Sequence, residues 1–114
     1  MSVHDHANRY LVLYTDLTRM RESYLIAVKS GKDPVEFAGY VAELHISTIK
    51  HLSAKYPNVV SVYFGCSRDI SKELAKGDYN ISYIIEDADV DGNVHISFTL
   101  SCNDVKYKIK RDLL

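Results

Sequence analysis

The 114 residues of this chain suffice for one domain with its own core, and its balance of 46% hydrophobic and 25% charged residues is that of an ordinary globular protein. A formal net charge of -1 argues against a dedicated nucleic-acid binder, which carries a large positive excess. No apolar run approaches the roughly 20 residues needed to cross a bilayer, and the N-terminus has neither a basic start nor an apolar signal core, so the expected location is cytoplasmic.

In chain order, the periodicity predicts a first helix over about 4–30. Tyr10, Leu13, Tyr14, Leu17, Tyr24, Leu25 and Val28 form its apolar stripe, and Asp5 is its N-cap. The stretch Ser30-Gly31-Lys32-Asp33-Pro34 ends one helix and starts the next, with Gly31 as left-handed C-cap, Asp33 as N-cap and Pro34 at the first helical position. The second helix is expected over 34–56, with Phe37, Ala38, Val41, Leu44, Thr48, Ile49, Leu52 and Tyr56 on its stripe. So short a connector implies an antiparallel hairpin. Val59–Phe64 (VVSVYF) is β-branched and aromatic and reads as a strand. A short helix is expected over 67–76, capped by Ser67 and closed by Gly77.

Strands are then expected over 79–87, 94–102 and 105–111. From Val94 the chain alternates, with Val94, Ile96, Phe98, Leu100 and Cys102 on one face. Two-residue turns at Asp91-Gly92 and Asn103-Asp104 would pair Ile85 with Phe98, Tyr83 with Leu100, Cys102 with Val105 and Leu100 with Tyr107. The predicted fold is therefore α+β: an N-terminal helical hairpin on one face of a four-stranded antiparallel sheet, in a single domain.

The candidate sites are few. Asp87, Asp89 and Asp91 precede Gly92 in the D-x-D-x-D-G spacing of a calcium loop, but Phe98 stands where the completing Glu belongs, so the segment reads as a hairpin tip. His45-Ile46-Ser47-Thr48 and His95-Ile96-Ser97-Phe98 resemble the H-x-[ST]-x signature of two-histidine phosphoesterases. That family's histidines act as acid and base from facing strands. Here the first copy falls within a predicted helix, so the eight matching residues read as coincidence.

Two polar residues interrupt the apolar stripes, Arg21 and His45. Directed at a sheet face bearing Tyr83 and Tyr107, with Tyr14 and Tyr24 nearby, they would make an interior pocket for an anionic ligand. Paired in the core, they would make none. Lys106, Lys108, Lys110 and Arg111, with His95, form a basic and polar face for a partner, or simply guard an edge strand against aggregation. Cys66 and Cys102 have no metal or disulfide spacing and read as reduced thiols. No cofactor is expected.

These features favour a small non-catalytic protein-interaction domain, an inhibitor, immunity-type, adaptor or chaperone protein that masks a partner, with self-association into a homodimer allowed. The analogy is to small bacterial or phage accessory proteins. The other reading is an anionic-ligand binder or phosphoesterase-like enzyme built on Arg21, His45 and the tyrosines.

Overall fold

The computed structural model describes residues 3–86 and 94–114, and over residues 3–10 the backbone alone. The Asp5 cap and the Tyr10 side chain therefore lie outside the described residues, as do Asp87, Asp89, Asp91 and the Asp91-Gly92 turn. Among the described residues four helices precede three strands: α1 (Val3–Lys29), α2 (Pro34–Lys55), α3 (Pro57–Tyr63), α4 (Ser71–Lys76), β1 (Asn80–Glu86), β2 (His95–Cys102) and β3 (Val105–Asp112).

The α1–α2 junction forms as its sequence requires. Lys32 N–H donates to Ala27 O and Gly31 N–H to Val28 O, a Schellman closure that needs the positive φ of 89° at Gly31. Asp33 then accepts from Glu36 N–H at 3.0 Å, and Pro34 begins α2. Leu13, Leu17, Met20, Tyr24 and Ala27 are the buried stripe of α1, while Tyr14 and Leu25 face outward.

The expected strand at 59–64 is instead helix α3, so among the described residues the sheet has three strands rather than four. Pro57 takes the first turn of a new helix, where its missing N–H costs nothing, rather than only ending α2. The buried residues are Val59, Val60, Tyr63 and Phe64, while Val62 is 63% exposed. That is helical spacing, and tertiary burial overrides the β propensity of the valines. The following helix is shorter than expected: Asp69, not Ser67, accepts from Ser71 N–H, at 3.1 Å, and Gly77 closes the helix at φ 84°.

The sheet order is β1-β2-β3, antiparallel throughout. The β2–β3 register is as expected, with Cys102 opposite Val105, Leu100 opposite Tyr107 and Phe98 opposite Ile109. Asn103 and Asp104 both have positive φ, the type I′ geometry that a two-residue hairpin favours. Between β1 and β2 the register differs by two residues: Tyr83 pairs with Phe98, Ile81 with Leu100, and Glu86 with His95 closes the ladder. A shift of two preserves the face, so Ile81, Tyr83 and Ile85 still point toward the helices. The core lies between that face and the helical layer. Gly39 lets α2 approach β1 closely, since a Cβ there would stand 3.4 Å from the Tyr83 hydroxyl.

Candidate functional site

His45 sits on the buried side of α2 with no exposed surface, its ring 5.2 Å from that of Phe98. Its Nδ1 lies 2.5 Å from Asp16 Oδ2, and its Nε2 lies 2.8 Å from the Tyr63 hydroxyl. Arg111 Nε donates to the same hydroxyl at 3.3 Å, with its guanidinium carbon 4.9 Å from the Tyr63 ring centre. One proton assignment with a neutral imidazole suits all three bonds: Nδ1–H donates to Asp16, Tyr63 O–H donates to Nε2, and Tyr63 oxygen accepts from Arg111. Burial pushes the Tyr63 phenol above its ordinary pKa, against the opposing pull of Arg111.

An Asp-His-hydroxyl sequence has the layout of a nucleophilic triad. Here, however, the hydroxyl is a tyrosine's, buried with the imidazole, and its oxygen is already bonded to Arg111. What the chain of bonds does is hold α1, α2, α3 and β3 together through satisfied polar groups. Sequence reasoning missed Asp16, which lies off the apolar stripe of the first helix, and Tyr63, which it placed in a strand. A signal for Asp16 existed: folding the hairpin about Gly31 sets Asp16 level with His45.

Arg21 does not join His45. It is exposed, and its Nε donates to the Asp112 carbonyl at 2.8 Å. Of the tyrosines proposed around them, Tyr24 is buried, with its phenol pKa raised by that burial. Tyr14 stands edge-on to Tyr63 at 5.7 Å. The Tyr83 hydroxyl points to Glu43 at 3.5 Å. Tyr107 is buried, with a hydroxyl that meets no partner among the described residues. Tyr14 and His45 thus both meet Tyr63, whereas Arg21 and Tyr83 face other partners, Asp112 and Glu43. His45 and His95 likewise lie on opposite faces of the sheet, so the paired-histidine arrangement of the phosphoesterase signature does not assemble.

The outer sheet face carries His95 against Asp112, and Lys110 against Glu86 at 2.8 Å, with Ser97 donating to Glu86 at 3.0 Å. Lys106 and Lys108 are exposed beside them, whereas Arg111 turns to the opposite face and leaves the basic row. Hydrogen bonds from Lys110 and Ser97 hold the Glu86 carboxyl below its ordinary range, and Glu86 raises Lys110. The contribution of this pair is present at neutral pH and is lost as pH falls through the depressed Glu86 pKa. A carboxyl-carbon NMR titration should show that depression, and Lys110→Ala should move Glu86 back toward an ordinary glutamate. An unmoved Glu86 would remove Lys110 as its cause.

Burial raises the Cys66 and Cys102 thiols, which opposes thiolate formation. Among the described residues, no group of three or more His, Cys, Asp or Glu could hold a metal ion.

Surface grooves among the described residues include two along α2. One, of about 300 Å³, runs between α1 and α2 and is lined by Asp16, Arg19, Met20, Phe37, Tyr40 and Leu44. Its rim residues Tyr40 and Leu44 are 58% and 51% exposed. The other, of about 550 Å³, runs between α2 and β1, with Glu43, Ser47 and Lys50 on one wall and Ile81, Ser82 and Tyr83 on the other. Among the described residues, no helix is long and apolar enough to cross a membrane. Comparison with protein-family models, curated proteins and solved structures finds no match to this chain.

Proposed function

We propose that the chain is a small cytoplasmic protein-interaction domain that binds and masks a partner protein, in the manner of an inhibitor, immunity-type, adaptor or chaperone protein, and that it also associates with itself. The observation that carries this reading is the α1–α2 groove. Tyr40 and Leu44 leave large apolar surface in water beside Phe37 and Met20, with Asp16 and Arg19 supplying charge at the wall. An apolar centre rimmed by polar groups is the anatomy of a protein-binding patch. The pairing of His45 with Asp16, and of Arg21 with Asp112, gives the anionic-ligand reading no support.

Affinity capture with the immobilised protein tests this, run beside a Tyr40→Ser/Leu44→Glu double variant. The expected result is a captured protein that the variant releases and whose own activity falls at stoichiometric concentrations of the chain. Identical capture by both forms would remove the groove as the binding site.

A further inference from the structure

The two edges of the sheet are unlike. The β3 edge is studded with Lys106, Lys108 and Lys110, the kind of charge that keeps an edge strand from pairing with another chain. The β1 edge, NISYIIE, has no lysine, arginine or proline, and Ile84 on its outer face is 66% exposed.

The hairpin geometry shows where the unused backbone groups of β1 point. A type I′ turn at Asn103-Asp104 makes Cys102 and Val105 a hydrogen-bonded pair, and such pairs recur at every second residue. His95, Ser97, Thr99 and Ser101 therefore turn their backbone groups toward β1, where they meet Glu86, Ile84, Ser82 and Asn80. Ile81, Tyr83 and Ile85 are left directing N–H and C=O groups out of an edge that is open among the described residues.

α2 runs alongside this edge in the opposite direction. Ser53 bonds Tyr79, Glu43 meets Tyr83, and Gly39 touches Tyr83 and Ile85. On the groove wall Glu43 and Lys50 flank Ser47, with Ser82 opposite. A two-fold axis passing near Ser82 and Ser47 would set Ile81 against Tyr83 of a second copy. The same axis sets Glu43 against Lys50 of that copy, and Lys50 against its Glu43. The backbone and the charges thus become complementary to themselves under one operation, which is what an isologous interface requires.

We propose that this chain dimerises through antiparallel pairing of β1 with β1 of a second copy, giving a continuous six-stranded sheet with the two α2 helices side by side. Strand pairing alone is small beside the roughly 800 Å² that each partner buries in a stable interface; the α2 walls supply the remainder. The inference rests on the reading of the chain as an interaction domain and names the surface of its self-association.

Sedimentation equilibrium should return twice the 13.0 kDa chain mass. Glu43→Lys alone and Lys50→Glu alone, each checked for native circular dichroism, should weaken dimerisation by at least about tenfold, and the double swap should restore it. Hydrogen exchange offers a readout without mutation. The Ile81, Tyr83 and Ile85 amides should gain protection with rising concentration, while Ser82 and Ile84 are protected throughout. A monomer at concentrations on the order of 100 μM overturns the proposal, as does a dimer whose three edge amides exchange freely or that ignores both single swaps. A monomer that still captures a partner through Tyr40 and Leu44 would end the dimer and leave the proposed function standing. A dimer that captures nothing would do the reverse.

Discussion

His45→Ala is expected to destabilise the protein by about 3 kcal/mol or more, through a buried void plus the loss of two hydrogen bonds. The imidazole has no exposed surface and bridges Asp16 and Tyr63, so its removal takes one bond from each. Asp16 is partly exposed and can recruit water. The Tyr63 hydroxyl is buried and less open to water, so the heavier cost falls there. Tyr63→Phe should cost about 1–3 kcal/mol, because it orphans His45 Nε2 and removes the Arg111 acceptor. Asp16→Asn keeps a carbonyl for Nδ1–H and should be milder than either. Urea unfolding checks all three as shifts in midpoint at unchanged slope. The His45/Tyr63 double variant should lose less than the sum of the two singles, since both delete the same bond. Strict additivity would show that the bond carries little stability.

Phe98→Ala should cost about 3–5 kcal/mol, the range for deleting a buried aromatic ring. Phe98 lies on the central strand, opposite Tyr83 on one side and Ile109 on the other, fully buried and against His45. Thr99 is the neighbouring residue on the outer face, and Thr99→Ala should stay within about 1 kcal/mol. The contrast tests which face of the sheet holds the fold. Equal losses at the two positions would mean that the outer face is covered in solution.

Much of this architecture was legible in the residues, and the failures have specific causes. Gly31, Asp33 and Pro34 mark a helix junction by local backbone chemistry, and the hairpin forms there. Asn103-Asp104 fixes the β2–β3 register because the turn length leaves one choice. The β1–β2 register depended on assigning a turn within 87–94, a stretch rich in turn-forming residues, and it came out two residues away. The face survived, since hydrophobic alternation constrains only odd against even. The segment 59–64 has the composition of a strand but the spacing of a helix: Val59, Val60, Tyr63 and Phe64 form a helical stripe.

The interior was harder to read. A histidine within an apolar stripe announces a buried polar group but not its partner, and Asp16 and Tyr63 come from elements 29 and 18 residues away. Arg21 failed for a simpler reason, for it stands at the border of its stripe, within reach of the end of β3.

The chain of bonds from Asp16 to Arg111 also bears on how the molecule opens. Its members belong to the first three helices and the last strand, so detaching any one of those elements breaks a bond in a shared set. Partial openings that release α3 or β3 alone then uncover a polar group meant to stay dry, and they lie close in free energy to complete unfolding. The helical hairpin and the sheet are therefore joined as one cooperative unit, and slow amide exchange in α2 and in β2 should share a single opening free energy.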